Sequence, residues 1–71
     1  MNPDESLQAS NDARDLDAHL RGLGVNASVG VAEAGALIVY APNRYQERRA
    51  RDAIGGEYAN RKVTVTRARP R

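Results

Sequence analysis

Cysteine, phenylalanine and tryptophan are absent from the 71-residue chain, and histidine, lysine and methionine occur once each. Without cysteine no disulfide framework is available, which suits a reducing compartment. No apolar run approaches the roughly 18 residues that a membrane span needs, and the acidic opening MNPDES is unlike the basic, apolar start of a signal peptide. We therefore expect a soluble, cytoplasmic protein without a membrane span.

Large apolar side chains are also scarce. The chain has five Leu, two Ile and six Val, and 12 Ala fill much of the remaining apolar volume. A chain of this length buries only about 60% of the surface that its unfolded form exposes. We expect a single small domain with a thin core and modest stability, for which self-association is one remedy.

Charge is distributed unevenly along the sequence. Residues 1–41 carry two Arg against six acids, and residues 42–71 carry nine bases against three acids, so the net charge of +2 combines −4 and +6. The two halves of the sequence therefore carry net charges of opposite sign. Such an asymmetry fits attraction between the halves of one chain or between two chains.

The stretch GALIVYAPNRYQERRARDAI, residues 35–54, organises the fold. Residues 36–41 are uncharged and end at Pro42, which predicts a central strand. Asn43 can cap a helix that begins near Arg44, with Gln46 reaching back as in a capping box. Gly55-Gly56 ends that helix, since glycine readily adopts the left-handed conformation past a helix end.

The remaining elements follow from their periodicity. Apolar residues spaced by three and four predict a first helix from about Asp12, closed by Gly22 or Gly24. Alternation predicts strands over Val25–Ala32 and Val63–Thr66, with a reversal at residues 33–35 in which Gly35 has positive φ. We expect a flexible segment over residues 1–10, one domain over 11–68 and a basic tail over 69–71.

This element order predicts an α+β fold, an αββαβ two-layer sandwich with two helices on one face of a three-stranded mixed sheet. An all-antiparallel order with the first strand central ranks second. The sheet face opposite the helices is then open, and it carries either Ile38 and Tyr40 or Leu37 and Val39. Because tyrosine tolerates water better, we favour the first pair. The predicted interaction surface comprises Asn26, Ser28, Ile38, Tyr40, Thr64 and Thr66.

The patterns GALIVYAP and DARDLDAHL, Ala50 and Ala53 in the second helix, and the closing VTVT together resemble the BON domain over roughly residues 12–67. This resemblance implies a small binding module, linked in that family to envelope-associated proteins and to phospholipid or other ligands. The order is also similar to that of type II KH domains, which grip nucleic acid with a GxxG loop. This sequence contains no GxxG.

Three function classes can be compared. The first is a protein-interaction or self-associating module that uses the open sheet face or the edge strands. The second is an RNA- or DNA-binding module, because guanidinium groups pair well with phosphate. The alternative interpretation of the same arginines is a solvated helix face with i,i+4 ion pairs. The predicted polyanion contacts are Arg44, Arg48, Arg51, Arg61, Lys62, Arg67, Arg69 and Arg71.

An enzyme is the least supported class. His19 is the only histidine, and a single histidine near helix acids is far more often a boundary residue than a metal or catalytic group. Acid-base catalysis needs a desolvated pair in a cleft, for which no residues are evident. We expect no catalytic residues, no metal and no cofactor.

Overall fold

In a computed structural model of the chain, the described residues are 3–67, with side chains described for residues 7–67. Two helices pack on a four-stranded mixed sheet, which confirms the α+β class. A 3₁₀ turn, Glu33–Gly35, joins the first two strands. The elements are α1 (Pro3–Gly22), β1 (Ser28–Val31), β2 (Leu37–Ala41), α2 (Arg44–Ile54), β3 (Glu57–Tyr58) and β4 (Arg61–Arg67).

The start of α1 differs from the prediction. The helix begins at Pro3 rather than near Asp12, so residues 3–10 continue it. The reason is Ala9, which is fully buried and extends the apolar stripe of the helix by one further turn, whereas Leu7 is 65% exposed. A small alanine gives a weak periodic signal. Proline, which is favoured at the first helical position, provides the start.

The end of α1 is closed by a Schellman motif. The N–H of Val25 donates to the Leu20 carbonyl at 2.9 Å, and the N–H of Gly24 donates to the Arg21 carbonyl at 3.0 Å. Gly24 has φ +77°, the left-handed conformation that this motif requires. Val25 and Leu20 are both buried, which supplies the hydrophobic contact that accompanies the motif.

The sheet order is β1-β2-β4-β3, so β2 is internal as predicted. It pairs antiparallel with β1 and parallel with β4. The prediction of three strands is wrong, because β3 adds a short antiparallel edge to β4. The turn between β3 and β4 is Ala59-Asn60, and both residues have positive φ, as a type I′ turn requires.

The first strand is also shorter than predicted. Only Ser28–Val31 pairs with β2, although Val25 and Ala27 ahead of it are buried. Ala34 and Gly35 both have positive φ in the reversal, so the prediction for Gly35 is confirmed and Ala34 adds to it.

The predicted N-terminus and C-terminus of α2 are confirmed. The Asn43 side chain accepts a hydrogen bond from the backbone N–H of Gln46 at 2.9 Å, and Gly55 has φ +71°. Gln46 does not complete a capping box. Its Oε1 accepts instead from the backbone N–H of Asn26 at 3.1 Å, which ties the loop before β1 to α2.

The core lies between the helices and one face of the sheet. Leu16 and Leu20 of α1 and Ala50 of α2 belong to a single buried cluster. The strand residues in this cluster occupy alternate positions, so both helices cover the same sheet face. The strand residues are Leu37, Val39, Val63 and Val65.

Candidate interaction surfaces

The sheet face opposite the helices has an apolar centre. Ile38 is half-buried and Tyr40 is 42% exposed, whereas their neighbours Leu37 and Val39 are fully buried under the helices. The pairing of β2 with β4 sets Ile38 beside Thr64 and Tyr40 beside Thr66. The open face therefore places hydroxyl side chains around two larger side chains.

Tyr40 rests on a glycine. The ring carbon Cε2 lies 3.7 Å from the position that a Cβ on Gly30 would occupy. Tyr40 itself pairs with Ser28, so the ring crosses diagonally to the next residue of β1 on that face. Asn26 is also exposed, but it lies outside β1, whereas the other predicted residues of this surface lie on strands.

The predicted polyanion contacts on α2, which are Arg44, Arg48 and Arg51, are partly neutralised by an acid. The Glu47 carboxylate lies 3.8 Å from Arg51 and 3.6 Å from Arg67, so one carboxylate serves two guanidinium groups. Arg51 also donates to the Val65 carbonyl at 3.3 Å. Arg44 and Arg48 are exposed on the same helix.

Arg61 lies elsewhere in the structure. Its Nε donates to the Asp12 carboxylate at 2.8 Å, and its Nη1 donates to the Gly35 carbonyl at 2.9 Å. The Arg61 side chain is only 19% exposed. It therefore ties α1, the turn before β2 and β4 together, and it is not part of the surface formed by the α2 arginines.

Among the remaining predicted polyanion contacts, the structure describes Lys62, which lies on β4 rather than on α2. Lys62 is exposed and pairs in register with Glu57, next to the open face. Arg69 and Arg71 lie outside the described residues.

Arg49 was not predicted to have a role, yet it caps the first helix. Its guanidinium donates to the carbonyls of Leu23 at 2.9 Å and Gly24 at 3.1 Å. The same group lies 5.8 Å from the ring centroid of Tyr45. A cation at a helix C-terminus satisfies carbonyls that have no intrahelical partner. Its sequence separation from α1 hides this contact from local pattern reading.

The two edges of the sheet differ. At the β4 side, β3 pairs with residues 61–62 and Arg51 binds the Val65 carbonyl, so much of this edge is covered. At the other side, no strand among residues 3–67 pairs with the outer edge of β1. A groove runs between this edge and α1, where Ser10, Ala13, Arg14 and Asp17 line it.

Within residues 3–67, no group of three or more His, Asp or Glu side chains is placed to hold a metal ion. His19 is exposed and stacks against Tyr58 with ring centroids 5.9 Å apart. Neither helix of the described chain is both long enough and apolar enough to cross a bilayer.

Comparison of the chain with known protein families, with curated proteins and with solved structures found no match. The similarity to the BON domain, and that to the type II KH domain, therefore remain predictions from the sequence.

Proposed function

We propose that this chain is a small non-enzymatic interaction module whose copies associate through the part of the sheet that the helices leave uncovered. The observation that carries the proposal is the one-sided covering of the sheet, which leaves an apolar-centred face and the β1 edge exposed. An apolar centre with a polar rim is the usual anatomy of a protein interface. The thin core, in which five of the 12 buried hydrophobic residues are alanines, favours added burial by association.

Sedimentation equilibrium of the complete chain, from low micromolar to near-millimolar concentration, tests this proposal. We expect the weight-average mass to rise reversibly from that of the monomer to that of a dimer. A strict monomer throughout would remove the self-association function.

Nucleic-acid binding is the second candidate. Arg44 and Arg48 are exposed on α2, and Tyr45 beside them is 66% exposed, so a phosphate backbone and a stacked base have partners there. Two observations count against this candidate. Arg61 is paired with Asp12, and Glu47 lies near both Arg51 and Arg67, so less positive charge is available to a polyanion. Titration of labelled RNA and DNA at low and moderate salt decides between the candidates. Absence of binding at micromolar protein in low salt would end the nucleic-acid hypothesis.

A further inference from the structure

We infer that the homotypic contact is made by the β1 edge, which pairs antiparallel with β1 of a second copy while the two α1 helices meet beside it. This inference rests on the proposed self-association and specifies its geometry. It makes the two sheets into one continuous sheet, with the open faces side by side.

The backbone of β1 is arranged for such pairing. The N–H of Ala32 donates to the Ala36 carbonyl at 2.7 Å and continues the register in which Gly30 faces Ile38. Because alternate residues of a strand direct their backbone groups to opposite sides, Val29 and Val31 direct theirs away from β2. These are the groups that an added strand would bind.

The edge also lacks the usual protection. Proteins commonly block an edge strand with Lys, Pro or a bulge. β1 reads Ser-Val-Gly-Val and contains no charge and no proline, and Val31 is 42% exposed. At the opposite side of the sheet, β3 and Arg51 cover the edge of β4. The contrast between the two edges singles out β1 as the pairing edge.

The flank of α1 beside this edge favours a second copy as the occupant. The small residues Ser10 and Ala13 line the groove and allow close approach, while Arg14 and Asp17 in the same groove carry opposite charges. An antiparallel pairing centred on Val29 would bring Arg14 of each chain toward the partner's Asp17, whose carboxylate also lies 3.1 Å from Arg21 of its own chain. The same flank thus complements itself under a two-fold axis, as an isologous dimer requires.

Charge reversal tests this arrangement by sedimentation equilibrium of the complete chain. Arg14→Glu sets an acid against the partner's Asp17, and Asp17→Arg sets a base against the partner's Arg14. Each single variant is expected to dimerise about tenfold or more weakly than the original chain. An equimolar mixture of the two variants restores both attractions, so we expect it to form a heterodimer at concentrations where neither variant dimerises.

Two further pairs of variants separate this contact from other causes. Arg48→Glu and Asp52→Arg reverse two exposed residues of opposite charge at i,i+4 spacing on α2 and should leave dimerisation unchanged. Val31→Lys places a charge on the pairing edge and should abolish the dimer, whereas Tyr40→Thr changes an open-face residue of equal exposure and should not. Circular dichroism verifies that each variant is folded.

Each outcome has a distinct meaning. A dimer that resists Arg14→Glu, Asp17→Arg and Val31→Lys but is weakened by Tyr40→Thr would overturn the edge pairing and leave the proposed function standing, with the open face as the contact. Failure of the mixture to recover would overturn the α1 pairing. A monomeric original chain would overturn the proposed function together with this inference.

Discussion

At the scale of single residues, Arg61 shows how a surface cation in sequence becomes a structural side chain. It is the only described residue that hydrogen-bonds both α1, through Asp12, and the turn before β2, through the Gly35 carbonyl. Both partners of the ion pair are about four-fifths covered, with side-chain exposures of 19% and 20%. Removing one partner leaves the other charge poorly solvated.

The first prediction concerns this ion pair. Arg61→Ala should lower the free energy of unfolding by about 1–3 kcal/mol, because Asp12 and the Gly35 carbonyl lose their donor. Urea denaturation followed by circular dichroism measures the change. Arg48→Ala is the matched control, since this exposed arginine should alter stability by no more than about 0.5 kcal/mol. Equal effects of the two substitutions would contradict the structural role of Arg61.

At the scale of elements, the sequence predicts those whose signals are local. The α2 helix is confirmed because its cap and its closing glycine are neighbours of the helix in sequence. The central position of β2 is confirmed because an uncharged run reports burial. The early start of α1 is missed because buried Ala9 is a weak signal, and β3 is missed because its turn contains alanine rather than glycine.

The contacts that join elements were not predictable from local patterns. Arg49 caps α1 from a position 25 and 26 residues away, and Gln46 binds a backbone N–H 20 residues away. Their residue types alone favour a solvated helix face and a capping box, respectively. Only the packing of α2 beside the end of α1 assigns these side chains their partners.

The second prediction tests whether the helix extends through residues 7–9. Ala9→Glu should destabilise the fold by about 1–3 kcal/mol or more, because it buries a carboxylate at a position with no exposed surface. Leu7→Glu, at a 65% exposed position, should change stability by no more than about 0.5 kcal/mol. Thermal unfolding of both variants measures the difference. Equal tolerance at both positions would show that the chain before Asp12 does not pack on the core.

The third prediction concerns the turn between β3 and β4. Ala59 and Asn60 have φ values of 53° and 63°, which cost little only for Gly, Asn and Asp. Replacing the pair by Asn-Gly should stabilise the domain by about 0.5–1 kcal/mol, since it removes the strain on alanine. A rise in the midpoint of urea unfolding checks this. Gly55→Ala, at φ 71°, should have the opposite effect.

At the scale of the whole molecule, the arrangement of surfaces follows from placing both helices on one side of the sheet. The covered side of the sheet contains the core, and the opposite side carries Ile38 and Tyr40. The β1 edge carries backbone N–H and C=O groups that point away from β2. The two functional candidates use different parts of this layout. Association uses the sheet, whereas polyanion binding uses the outer face of α2.

Salt dependence separates these candidates and forms the fourth prediction. Edge pairing between copies draws on backbone hydrogen bonds and two pairs of opposite charges, so raising the salt concentration should weaken it only modestly. Polyanion binding through the α2 arginines would instead fall steeply with salt, as counterion release requires. Sedimentation in low and moderate salt gives the first dependence. Loss of the dimer in moderate salt would contradict backbone pairing as its main contribution.

Amide hydrogen exchange reports directly whether the outer edge of β1 is the contact between copies. We expect the amides of Val29 and Val31 to exchange freely at dilute concentration and to become protected at high concentration. The amide of Gly30, which faces β2, should be protected at both and serves as the internal reference. If the Val29 and Val31 amides exchange equally fast at both concentrations in a sample shown to be dimeric, pairing of the β1 edges is wrong.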